Sequence, residues 1–228
     1  MNSFLINPYE FIGVAHNEGL DYVVNNLLSD PTPTIEIVLR IVSDYACRQF
    51  RPDESYSKTE FYAMTSIVSY SIIHLDEIKS AYQEANLNEK QIVFLEKMLC
   101  VNPYVRLESQ KQFYRQVEGE IFAHPMSYKE KELLLIASSV GKHSSEYWEL
   151  NYNDNRSPWQ RWFPAANQTG MPLAKKSWPR EDAKGAVAGA IGGTIAGSPL
   201  LGGPGVVIGG IGGAIGGGIG ASVADVLF

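Results

Sequence analysis

Along the first two thirds of the chain, apolar residues recur every three or four positions, the spacing that gathers them on one side of a helix. Strand-like alternation is scarce. Phe11, Ala15, Tyr22, Val23, Asn26 and Leu27 predict a first helical face, entered after Asn7 and Pro8, with Pro8 placed in a first turn that needs no N–H there. Ile35, Val38, Leu39, Val42 and Ala46 predict a second, capped near Thr34. Phe61, Thr65, Val68 and Ile72 predict a third, with Ser57 and Glu60 spaced as a capping box. Helices follow over 75–86, over 88–100 starting at Asn88, and from Leu107 to Phe122. A last one carries Leu133, Ala137, Val140 and Tyr147, with Ser127 and Glu130 at capping-box spacing. Such faces are buried only against other helices, so residues 1–155 read as a bundle of about seven.

The pattern then changes. Residues 156–184 hold Pro158, Pro164, Pro172 and Pro179, which predict an extended linker. Beyond it, Gly185, Gly189, Gly193 and Gly197 repeat at a spacing of four, and Gly205, Gly209, Gly213 and Gly217 do so again after Pro199 and Pro204. Glycine is a poor residue for a helix interior in water. A stripe of it nonetheless lets two helix backbones approach closely, as in lipid, where internal hydrogen bonding enforces helix. The full expectation is an all-α chain with an N-terminal bundle (1–155), a Trp/Pro-rich linker (156–184) and a C-terminal glycine-zipper helical hairpin (185–228).

Composition sharpens the division. Of the 21 glycines, 16 lie between Gly185 and Gly220, and 185–224 contains no Asp, Glu, Lys, Arg or His. The linker carries a net charge of +4 and the bundle a net charge of −9, with 13 basic and 22 acidic side chains. An acidic body is a poor match for nucleic acid, which is excluded as a partner on that ground. At the helical rise, 185–201 extends about 26 Å and 205–224 about 30 Å, against a hydrocarbon core of about 30 Å. Six Ile, four Val and two Leu in this stretch favour insertion by about −5 kcal/mol, eroded by the glycines. Trp159, Trp162 and Trp178 beside Lys175, Lys176 and Arg180 have the composition of a membrane interface.

Candidate chemistry is sparse. His16 with Glu18, and His74 with Asp76 and Glu77, do not give the paired imidazoles of a helical metal site and read as surface polar residues. His124 and His143 stand alone, and Cys47 and Cys100 read as reduced thiols buried in helices. Gly141-Lys142-His143 fails as a phosphate loop, and Gly216 to Ala221 fits the letters of a dinucleotide fingerprint without its later acidic residue. No catalytic residue, metal or cofactor is predicted. The amino terminus lacks a basic region ahead of its apolar run, so no secretory signal is expected. Synthesis in the cytoplasm is expected, then membrane association, with any release by a non-classical route.

The tail, through its two spacing-four glycine rows, resembles the glycine-zipper segments of bacterial membrane-active proteins, among them class II bacteriocin-like peptides and contact-dependent glycine-zipper toxins. Ser157-Pro158-Trp159 and Asp182-Ala183-Lys184-Gly185-Ala186 also resemble bacterial proteins in which a helical domain meets a Ser-Pro-Trp linker and a D-A-x-G-A opening. The resemblance implies a non-enzymatic protein whose hairpin meets membrane lipid through 185–224 as toxin, pore or anchor. A soluble module self-associating through its glycine stripes is the first alternative. An enzyme or small-molecule binder in the bundle is the second.

Overall fold

The structure, a computed structural model, describes residues 6–28, 33–50, 83, 86–102, 105–162, 181–183, 185–186, 214–219, 221 and 223, the side chains of 35, 47 and 50 aside. These residues are all-helical in their regular structure, with helices α1 (Glu10–Leu27), α2 (Ile35–Phe50), α3 (Glu89–Leu99), α4 (Leu107–Ala123) and α5 (Tyr128–Asn153). A short 3-10 turn, Pro158–Arg161, follows α5. The helices expected over 57–72 and 75–86 lie outside the described residues, save for isolated positions.

Sequence chemistry sets the helix starts. Asn88 and Ser127 each close a reciprocal capping box, with Gln91 and Glu130 respectively. Each box satisfies two backbone donors that a helix start otherwise leaves open. The two boxes are also joined: Asn88 Nδ2 donates to Glu130 at 2.7 Å, and Gln91 Nε2 donates to the Glu130 carbonyl at 3.0 Å. The N-termini of α3 and α5 are therefore pinned side by side.

Helix α5 is the axis of the body. It is buried on every side from Leu134 through Lys142, and α1, α3 and α4 pack against it. Its run of small residues reaches out to different neighbours. Ser138 Oγ donates to the Tyr114 carbonyl of α4 at 3.1 Å, and Ser139 Oγ to the Glu10 carbonyl of α1 at 3.5 Å. Close approach of α1 requires a glycine: a Cβ on Gly13 would come within 2.7 Å of the Ser139 carbonyl oxygen, far inside van der Waals contact.

The predicted face of α2 is the observed one, with Val38, Leu39, Val42 and Ala46 buried. That of α1 is rotated. Its buried residues are Ile12, Gly13, His16, Gly19, Leu20, Val23, Val24 and Leu27, while Phe11 and Asn26 are exposed and Ala15 and Tyr22 half-buried. Glycine and histidine carry no apolar signal, yet three such residues lie on this contact face. Pro8 sits ahead of the N-cap Tyr9 rather than in the first turn. Cys100 ends α3 as an exposed free thiol, not a buried one, and the Cys47 side chain lies outside the described residues.

Two apolar clusters make up the core. One joins α1, α2 and α5 with Trp159; the other joins α3, α4 and the first half of α5. The described pieces of the C-terminal region enter both. Ala183 packs in the second cluster, and Ala186, Ala214, Ile215, Ile219 and Val223 pack in the first, all fully buried. Residues 214–219, 221 and 223 are helical, which puts Ile215, Ile219 and Val223 on one stripe. Burying side chains of this size stabilises by about 1.5–3 kcal/mol each. Among the described residues, no helix is long and apolar enough to cross a membrane.

Candidate functional site

Two buried polar nodes lie one helical stretch apart on α1, both facing α5. The first gathers Asn7, Glu10, Glu118, Lys142 and His143. Lys142 Nζ donates to Glu118 Oε2 at 2.9 Å and also to Glu10 Oε1. His143 Nε2 meets Glu10 Oε2 at 2.5 Å, and Asn7 Nδ2 serves both Glu118 and the Leu135 carbonyl, the latter at 2.8 Å. Burial pushes the Glu10 carboxyl up, but the bonds from His143 and Lys142 outweigh it and hold the group below the ordinary carboxylate range. One cation between two carboxylates, with further donors around them, is a satisfied structural network.

The second node joins α1 and α5 to the chain at 181–186 and 214–219. Asp182 and His16 are both fully buried, with His16 Nε2 3.5 Å from Asp182 Oδ2. Asp182 Oδ2 accepts from Ser144 Oγ and, at 3.2 Å, from the Trp148 indole. Asp182 Oδ1 and His16 Nε2 have no hydrogen-bond partner. Gly218 closes the node: a Cβ there would lie 2.9 Å from His16 Cδ2 and 3.2 Å from the Asp182 carbonyl oxygen. Only a residue without a side chain lets the backbone lie across the imidazole.

Around this node the aromatic rings stack edge to face. Trp148 lies 5.2 Å from Tyr147 and 5.1 Å from Trp159, and Trp159 lies 6.0 Å from Trp162. The Trp159 indole donates to Tyr147 Oη, which donates in turn to Asp21, each at 2.7 Å. Burial, with the nearby Asp21 and Asp182 charges, holds the Tyr147 hydroxyl far above its ordinary range, so it stays a neutral donor.

The residues singled out from the sequence fall unevenly. Gly185 and Gly217 come together: a Cβ on Gly185 would lie closer to the Gly217 carbonyl oxygen than real Cβ atoms come. Gly189, Gly193, Gly197, Gly205, Gly209 and Gly213 lie outside the described residues. Trp159 is fully buried against the body, capped through Ser157 in the 3-10 turn rather than on extended chain. Trp162 is half-buried, and Trp178, Lys175, Lys176 and Arg180 lie outside the described residues. Ile215 and Ile219, whose branched side chains suit hydrocarbon, fill the core of the body.

Sequence reasoning missed both nodes. His16, read as a surface residue, has no exposure, and His143 is paired with Glu10. The available signal was the polar run "SSVGKHSS" at 138–145 inside a long helical pattern. Small hydroxyl residues and a lysine in mid-helix need partners from other elements when buried. Among the described residues, no group of three or more His, Cys, Asp or Glu could hold a metal ion. No family model, curated protein or solved structure matches this chain.

Proposed function

We propose that the protein is a non-enzymatic carrier of a membrane-active glycine-rich tail, and that its helical body sheathes that tail until it meets a bilayer. The observation that carries this reading is the full burial of Ala186, Ala214, Ile215, Ile219 and Val223 in one cluster with α1, α2 and α5. The sequence around them, residues 185–224, is forty residues without a charge. Segments of that composition are at home in lipid once released. The close approach of Gly185 to Gly217 supports a tail that pairs with itself through glycine, as the hairpin requires. The basic, Trp-bearing linker would then stay at the cytoplasmic face.

Vesicle flotation tests the reading with three forms of the full chain. Gly185→Val drives a branched side chain into the Gly217 backbone and should raise the co-floating fraction severalfold over wild type. A disulfide between Gly19→Cys and Ile219→Cys, in a background of Cys47→Ser and Cys100→Ser, should lower it, with recovery on reduction. The pair is chosen because a Cβ on Gly19 would fall against Ile219 Cδ1, so the two positions face each other across the contact of α1 with the tail. Glu108→Gln, an exposed change on α4, is the control and should leave flotation unchanged. Gly185→Val protein that stays folded yet never floats would make the tail a permanent core element and end the proposal.

A further inference from the structure

The helical residues 214–219, 221 and 223 belong to a sequence that nearly repeats itself every four positions. Sliding a helix by four residues moves it about 6 Å and returns almost the same face to its neighbour. A slide that brings earlier residues into place would put Ile211, Ile215 and Ile219 where Ile215, Ile219 and Val223 now fill the core. It would put Gly213 where Gly217 now meets Gly185, adding no side chain there. Ala214 and Ala221 would give way to Gly210 and Gly217, while Ile would replace Val at one place. Two methyl groups leave and one methylene enters, so apolar burial alone hardly separates the two seats.

Position 218 does separate them. A Cβ there would lie 2.9 Å from His16 Cδ2 and 3.2 Å from both His16 Nε2 and the Asp182 carbonyl oxygen. The slide would bring Ala214 to this place, with its methyl group against the ring. Neither neighbour yields easily. His16 is fully buried, with Nδ1 3.1 Å from the Asn17 amide oxygen. Asp182, also fully buried, is gripped at Oδ2 by Ser144 Oγ and, at 3.2 Å, by the Trp148 indole. The opposite slide is closed in the same way, because it would bring Ser222 to the place of Gly218.

We infer that Gly218 selects the register in which the C-terminal region docks, with His16 and Asp182 as the fixed mark against which it is set. The fold holds a second seat for this helix, one turn away and closed by a single methyl group. One-turn displacements of a packed helix are an established kind of switch, because close-packed surfaces offer discrete seats rather than a continuum. In coiled coils, a single polar residue fixes the register of an equally repetitive sequence. Register concerns where the tail sits, and it stands whether or not the tail leaves for lipid.

Nuclear Overhauser contacts in the full chain, without lipid, read the register directly. A Cβ on Gly19 would fall against Ile219 Cδ1, so in wild type the Ile219 δ-methyl should contact the Gly19 α-protons. Ala214→Gly combined with Gly218→Ala moves the open position back by one turn. The contact with Gly19 should then pass to the Ile215 δ-methyl, with loss of the Ile219 contact. A folded double variant in which Ile219 keeps the contact would overturn the inference. If the double variant does not fold, Ala214→Gly alone decides, since it opens the second seat and leaves Gly218 in the first. Both methyl groups should then contact Gly19, and contact from Ile219 alone would overturn the inference as well. Flotation that fails while the contact passes to Ile215 would sink the carrier reading and leave the register standing.

Discussion

The two polar nodes of α1 are built from the same two helices and differ in how they are balanced. At Glu10 and Glu118, a single ammonium bonds both carboxylates, and an imidazole and an amide take up further oxygen atoms. At Asp182, one carboxylate oxygen accepts twice while the other accepts nothing, and Nε2 of the imidazole beside it has no hydrogen bond either. The first node ties the body to itself. The second ties the body to the C-terminal region. A closed network resists change, whereas the second node leaves two buried polar atoms without hydrogen bonds where the C-terminal region meets the body.

Removing Lys142 should give the largest effect on this contrast. Lys142→Met leaves Glu118, nearly buried, and Glu10 without their shared cation. Breaking one partner from a buried ion pair costs about 3–5 kcal/mol, to be read from urea unfolding at pH 6. Adding Glu118→Gln to it should restore part of the loss, because an amide needs no counter-charge. A loss below about 1 kcal/mol would mean that the first node is as weakly engaged as a surface pair, and the contrast would collapse.

The first node should also respond to pH. Glu10 is held below its ordinary value of 4.5 by His143 and Lys142 against the opposing pull of burial. A carboxyl depressed on folding stabilises above its free value, and that share is lost as pH falls through the folded one. The first node therefore weakens in acid, below pH 4.5. Glu10→Gln should flatten the acid limb of a stability profile between pH 5 and 2. An acid limb as steep as that of wild type would place the acid-sensitive group outside the first node.

How much of this was legible depended on whether a residue announces its environment by type. Val38, Val42, Asn88 and Ser127 do: apolar periodicity and cap chemistry identify their surroundings locally, and the structure agrees. His16 does not, because its burial comes from Asp182 and Gly218, which lie 166 and 202 residues further along the chain. Gly13 and Gly19 misled for a related reason. Their part in the contact face of α1 is the absence of a side chain, which no hydrophobic pattern records, so the predicted face turned toward Phe11. Trp159 was read from its basic, proline-rich surroundings, whereas its partners Tyr147 and Trp148 belong to a helix that ends before the linker begins. Local chemistry was readable, and pairings between distant segments were not.

Asn17 links the nodes, and removing it should give the smallest change in stability. Its amide donates to the backbone of His143, a first-node residue, and accepts from His16 of the second. Asn17→Ala removes these two half-buried bonds, at a cost of about 1 kcal/mol near pH 6. Its loss is small because both bonds lie at the half-buried edge of the two nodes, where water can replace the amide. A loss as large as that of Lys142→Met would mean that the two nodes stand or fall together through Asn17.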